Sequence, residues 1–165
     1  MIVILMGVSG SGKTAVGQIL GRELGWPYFD ADQYHPQANV EKMRSGTPLT
    51  DADRWPWLRA IAEWIEAHRR AGTTGVATCS ALKRAYRDIV TNKQSADVRV
   101  VYLKGGFDLI AARLAARTDH FMPPALLKSQ FDALEEPRAD ERAITVEIDA
   151  TPEEIAGRVV EELGS

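Results

Sequence analysis

Short apolar runs recur along the chain at intervals wide enough to hold a helix between each pair. The first, Ile2 to Met6, is apolar at every position and rich in β-branched residues, the pattern of a strand buried on both faces. Further strand-like runs lie at Pro27 to Asp30, Gly75 to Ser80, Val98 to Lys104 and Ile144 to Asp149. Between them the period turns helical. Ala15, Val16, Ile19, Leu20 and Leu24 share one helix face, and Gly25 stands where a C-terminal cap belongs. The longest helix begins near Thr50, whose hydroxyl caps it together with Asp53, and it presents Trp55, Leu58, Ile61, Ala62 and Ile65 on one face. Thr151-Pro152-Glu153-Glu154 is a capping box with proline at the first helical position, and it opens the last helix. Strands alternating with helices predict an α/β fold with a five-stranded parallel sheet, helices on both faces, and ligands at the carboxyl ends of the strands.

The stretch between the first strand and its helix carries the strongest chemical signal. Gly7, Val8, Ser9, Gly10, Ser11, Gly12, Lys13 and Thr14 fit the phosphate-loop pattern G-x-x-x-x-G-K-[ST], in the required strand, loop, helix order. A helix N-terminus leaves amide N–H groups unpaired and carries a partial positive charge, so the amides from Gly10 to Thr14 can cradle a phosphate. Lys13 reaches the β- and γ-phosphates, and the Thr14 hydroxyl suits Mg²⁺. The expected ligand is therefore a nucleoside triphosphate, most simply ATP with magnesium.

Length and composition narrow the setting. At 165 residues the chain is read as a single domain, 1–165, with a full core. Its net charge of −3 argues against nucleic acid as the main partner. The first apolar run is too short for a signal peptide and lacks a basic leader, and no stretch approaches a membrane span, so a cytoplasmic location is expected. Cys79, the single cysteine, lies in a strand pattern and reads as a buried structural thiol.

Three stretches at other strand ends bear on the phosphoryl acceptor. In "FDADQYHP" two aspartates, Asp30 and Asp32, leave a strand two residues apart and point the same way in extended chain. The strand "GVATCS" ends without an acidic residue, so one of these aspartates must complete a magnesium site, and the other is free to take a proton from an attacking hydroxyl. In "CSALKRAYRD", Lys83, Arg84 and Arg87 form a compact basic cluster suited to an anionic acceptor. In "RLAARTDHFMPP", Arg113 and Arg117 lie one helical turn apart and lead into a loop, where an arginine can neutralise charge on the transferring group.

Taken together, "MGVSGSGKT", "DADQYHP" followed by "NVEKM", "GTPLTDADRWPWL", "CSALKRAYRD", "VYLKG", "HFMP" and "LLKSQFDALEEP" resemble the gluconate kinases, phosphate-loop small-molecule kinases related to shikimate kinase and adenylate kinase. The resemblance implies a three-layer phosphate-loop fold with a helical lid, and transfer of the ATP γ-phosphate to the 6-hydroxyl of D-gluconate by a homodimeric enzyme. It implies an acceptor-binding helical segment at about 35–71 and a lid at about 117–135. On the donor side it implies roles for the loop, Arg113, Arg117 and the turn containing Thr151 and Pro152, which lies where relatives hold adenine. It assigns Thr14 and Asp30 to magnesium and Asp32 to the base, with Lys13 and Arg117 also catalytic. His35, Lys42, Arg54, Lys83, Arg84, Arg87 and His120, together with Asp32, are implied on the acceptor side. Two alternatives stay open: a kinase of another small sugar acid or of shikimate, and a nucleotide-dependent switch without acceptor chemistry.

Overall fold

The computed structural model describes residues 1–93, 96–117 and 124–164. Its centre is β1 (Ile2–Met6), in which every residue is buried. Alternation explains the unbroken apolar run. Val3 and Leu5 face one side, where they meet α1 (Lys13–Leu24), Ile110 of α5 (Phe107–Ala115) and Ile155, Ala156 and Val159 of α7 (Pro152–Leu163). Ile2, Ile4 and Met6 face the other, against Trp57, Leu58, Ile61 and Ile65 of α3 (Asp51–Ala71) and Tyr86 and Val90 of α4 (Arg84–Val90). A polar residue at any of these strand positions would be buried in one helical layer or the other. Each buried Leu or Ile contributes about 1.5–3 kcal/mol relative to exposure.

The remaining strands are β2 (Tyr28–Asp30), β3 (Gly75–Thr78), β4 (Val98–Lys104) and β5 (Ile144–Glu147), each slightly shorter than its apolar run or equal to it. They form one sheet in the order β2-β3-β1-β4-β5, with every neighbouring pair parallel. The chain leaves β1 toward β3 and β2 on one side and returns to β4 and β5 on the other. The carboxyl end of β1 is thus the topological switch point, where open α/β sheets bind ligands. Two further helices, α2 (Gln37–Arg44) and α6 (Pro124–Ala133), flank that edge.

The predicted caps are present. Thr50 and Asp53 exchange hydrogen bonds at the start of α3, as do Thr151 and Glu154 at the start of α7, and Gly25 closes α1 in the left-handed conformation. One aromatic differs from expectation. Trp57 is the fully buried tryptophan of α3, whereas Trp55 is only half-buried and meets Tyr86 edge-on, because Trp57 is the one pointed at the sheet and at the turn after β2. Among the described residues, no helix is long and apolar enough to cross a membrane.

Candidate active site

The loop from Gly7 to Gly12 passes from the end of β1 into α1. Gly10 and Gly12 adopt φ of 82° and 94°, a region that L side chains resist, and a side chain at Gly10 would also collide with Leu114 of α5. Lys13 folds back over the loop, its Nζ donating to the carbonyls of Gly7 at 2.9 Å and Val8 at 3.0 Å. Burial pulls the Lys13 pKa below the ordinary lysine range, and Arg117 adds to that pull, while Asp32, Cys79 and Asp30 oppose it. Asp30, Asp32 and Arg117 therefore each lie within electrostatic reach of Lys13, although the four residues come from three separate stretches of sequence.

The two aspartates stand on a short scaffold. Asp30 ends β2, and its Oδ1 accepts from the Asp32 N–H at 3.0 Å and from the Thr78 hydroxyl of β3 at 3.4 Å. The 3₁₀ turn of Ala31–Tyr34 that follows is pinned from beneath by the Trp57 indole, which donates to the Ala31 carbonyl at 2.7 Å. Asp32 is left exposed and Asp30 half-buried. These hard oxygen donors, with the Thr14 hydroxyl, fit Mg²⁺, which keeps several waters and takes few protein ligands. Among the described residues there is no cluster of three or more His, Cys, Asp or Glu that could hold a metal ion.

His35 stacks on Trp57 with ring centroids 4.0 Å apart, and its Nδ1 lies 3.2 Å from the Asn39 amide. Burial lowers its pKa, Asp32 raises it and Arg54 lowers it, which sets His35 between those two charges. Asn39 also donates to the Asp53 carbonyl at 2.9 Å and so joins α2 to α3. Lys42 bonds the Asp53 carboxylate at 2.8 Å, and this contact, with help from the Thr50 N–H, brings the Asp53 pKa down to about 2. Lys42 is thereby committed to the α3 cap, with its remaining surface open to solvent.

The basic cluster expected at Lys83, Arg84 and Arg87 does not form. Each cation turns to a different carboxylate. Arg87 is buried, paired in a fork with Glu141 at 2.6 and 3.1 Å, and also donates to the carbonyls of Ala81 and Leu82. Arg84 pairs with Asp140 through both terminal nitrogens, at 3.0 and 2.6 Å. Only Lys83 turns toward α3, where its Nζ lies 3.3 Å from Asp51 and near the ring of Tyr86. Arg54 converges there too, donating to the Leu49 carbonyl at 2.7 Å and the Tyr86 hydroxyl at 3.3 Å, while that hydroxyl donates to Asp51. The physical reason is where the carboxylates stand: Glu141 and the carbonyls of Ala81 and Leu82 enclose Arg87, Asp140 takes Arg84, and Asp51 of α3 draws Lys83 away from both.

The arginines near the second loop also part company. Arg113 donates to the Ile148 carbonyl just after β5, three residues before Thr151, whereas Arg117 lies within electrostatic reach of Lys13. The Thr151 hydroxyl accepts from the Glu154 N–H and is occupied as a cap. His120 and the "HFMP" motif lie outside the described residues, as does part of the segment expected as a lid. Cys79 is buried, and burial, followed by Asp32, pushes its thiol up to about 12, so it is an inert packing group.

Asn39, Asp51, Trp57, Thr78, Tyr86 and Gln130 shape this site without having been singled out from the sequence as site residues. Asp51 and Trp57 fall within "GTPLTDADRWPWL", but their partners are remote in the chain and no local pattern marks them.

A phosphate loop at the switch point, with paired carboxylates at the end of β2 on the far side of β3, defines a phosphate-loop kinase of small molecules. The shikimate kinase family model matches residues 9–163. The chain is 45% identical to a probable gluconokinase of Xenopus tropicalis, covering 90% of this chain and 86% of that one. It is 43% identical to the thermoresistant gluconokinase of Escherichia coli, over 97% and 91% of the two chains. The crystal structure of a gluconokinase from Sinorhizobium meliloti superposes with a TM-score of 0.86 at 40% identity, covering 98% of this chain and 94% of that one. The chain belongs to the gluconokinase family, within the shikimate-kinase type of phosphate-loop fold.

Proposed function

We infer that this chain performs the reaction of its family, transfer of the γ-phosphoryl group of ATP to the 6-hydroxyl of D-gluconate, giving 6-phospho-D-gluconate and ADP. The observation that carries the mechanism is the convergence of Lys13, Asp30, Asp32 and Arg117 at the carboxyl end of β1 and β2. In this reading the loop amides and Lys13 hold the nucleotide phosphates, and Thr14 and Asp30 hold Mg²⁺. When bound, that ion supplies charge neutralisation on the phosphate oxygens. Asp32 takes the proton from the 6-hydroxyl as its oxygen bonds to the γ-phosphorus, and the bond from phosphorus to the β,γ-bridging oxygen breaks in line. Arg117 and Lys13 offset the charge that spreads over the transferring group.

The acceptor carboxylate is assigned to Lys83 and Arg54, the cations that converge beside Tyr86, with His35 and residues 35–71 walling the acceptor side. Arg84 and Arg87 hold the scaffold in this reading. The chain is further read as one kinase domain, working as a cytoplasmic homodimer. Light scattering of the purified protein tests the dimer.

The deciding assay is ADP release with ATP and Mg²⁺ in the presence of D-gluconate, shikimate, glycerate or no acceptor. Turnover with gluconate alone is expected. Turnover with shikimate alone would move the acceptor while keeping the donor chemistry, and nucleotide binding with no acceptor-dependent turnover would favour a switch.

A further inference from the structure

One contact joins the phosphate loop to a helix 121 residues away. The Ser9 N–H donates to Gln130 Oε1 at 2.7 Å, and Gln130 Nε2 donates to Ser9 Oγ at 3.1 Å. A single primary amide thus grips the N–H and the hydroxyl of one loop residue. Helix α6 does not need this grip to stay in place: Leu126 and Leu127 are buried, and Phe131 packs edge-on against Phe107 with centroids 5.4 Å apart. The pairing spends the Gln130 side chain on the loop itself.

Its location gives it meaning. Lys13 Nζ, the group that serves the β- and γ-phosphates, rests on the carbonyls of Gly7 and Val8, so the terminal-phosphate end of the loop is the Gly7 to Ser9 end. Ser9 is the next residue along. The same arm continues past α6 to the acceptor side, where the Glu135 N–H donates to the Leu82 carbonyl at 2.8 Å and the Glu135 carboxylate accepts from the Arg84 N–H at 2.9 Å. Residues 130 to 135 therefore span from the donor loop to the loop that carries Lys83.

We propose that Gln130 is a positioning residue that fixes Ser9 at the γ-phosphate end of the loop and makes that end selective for a triphosphate over a diphosphate. This rests on the donor half of the kinase reading. The amide suits the place because it accepts from the Ser9 N–H without bringing a charge. A carboxylate would make the same bonds, since the Ser9 hydroxyl can turn to donate, yet it would repel the most anionic part of the ligand.

The test compares wild type, Gln130→Glu and Gln130→Ala by calorimetric binding of ADP and of a non-hydrolysable ATP analogue, each with Mg²⁺, alongside thermal melting. Gln130→Glu is expected to weaken the ATP analogue by about five- to tenfold more than ADP, the scale of one added unit charge about 4 Å away when water screens it almost fully. Gln130→Ala is expected to erase part of the preference for triphosphate and to raise the ATP KM more than the gluconate KM, with a small change in Tm. Equal weakening of both nucleotides, or an unchanged ratio with a lowered Tm, would overturn the proposal and leave Gln130 as a packing residue. Because binding is read without an acceptor, a wild type that ignores gluconate but still shows the Gln130-dependent ratio would sink the acceptor assignment and keep this one.

Discussion

Arg87 gives the sharpest separation between a residue that binds the acceptor and one that holds the scaffold. Its side chain is 2% exposed and that of Glu141 is 4%, so the pair is removed from water on both sides. Burial alone would raise the Glu141 pKa; the fork from Arg87, with the Arg138 N–H, overcomes this and leaves it lowered. Arg87→Ala strands a buried carboxylate and removes the donor to the Ala81 carbonyl, while the Leu82 carbonyl keeps the Glu135 N–H, a loss of about 3–5 kcal/mol. In a chain of this size each kcal/mol moves Tm by about 2–4 °C, so Tm should fall by roughly 6–20 °C. Urea and thermal unfolding followed by tryptophan fluorescence would measure the loss, with gluconate KM determined well below the transition. Pairing Arg87→Met with Glu141→Leu should restore most of the stability, because an apolar pair of similar volume avoids the desolvation cost. An unchanged Tm in Arg87→Ala together with a raised gluconate KM would refute the reasoning and return Arg87 to the acceptor site. Acid offers a second readout. A carboxyl group whose folded pKa is depressed stabilises the fold above its unfolded value, here 4.5, and that contribution fades as pH falls from there through the folded pKa.

Asp32→Asn should cut kcat by about 10²- to 10⁴-fold while the protein stays folded, the range for losing a general base; near-normal kcat would remove Asp32 from that role. Lys83→Ala should raise the gluconate KM by about 10- to 100-fold, as expected for one charge-assisted hydrogen bond, and leave the ATP KM alone; the reverse pattern in steady-state kinetics would refute the assignment. His35 has its pKa lowered from 6.5, chiefly by burial, so the unfolded chain binds the proton more readily. Its contribution to stability is whole above pH 6.5 and declines as pH falls below it, and melting curves for wild type and His35→Gln should diverge in slope there.

The parts of this molecule that were legible in the sequence are those whose partners are close in the chain. The β1 run, the phosphate loop and the Thr50 and Thr151 caps are each complete within a few residues, so spacing alone places them. The basic cluster was not legible in that way. Lys83, Arg84 and Arg87 look equivalent in sequence, yet Asp51, Asp140 and Glu141 draw them apart, and those carboxylates lie 32 to 56 residues away. The Gln130 contact has no local signature at all, because a glutamine in an amphipathic helix ordinarily faces water. Asp30 and Asp32 fall between these cases: their proximity follows from extended backbone, but the Thr78 and Trp57 contacts that fix the turn need the sheet order and α3.

The sheet divides its labour unevenly between the two substrates. The phosphate loop hangs from β1, which is hydrogen-bonded on both sides, whereas the aspartates hang from β2, a three-residue strand held by β3 alone. In the proposed reading the donor loop thus stands on the keystone, and the aspartates that meet Mg²⁺ and the acceptor hydroxyl stand on a tile at the rim. A designer seeking a new acceptor could rebuild β2, its 3₁₀ turn and α2 as one replaceable cassette, keeping the Ala31 carbonyl for Trp57 and a carboxylate for Thr78.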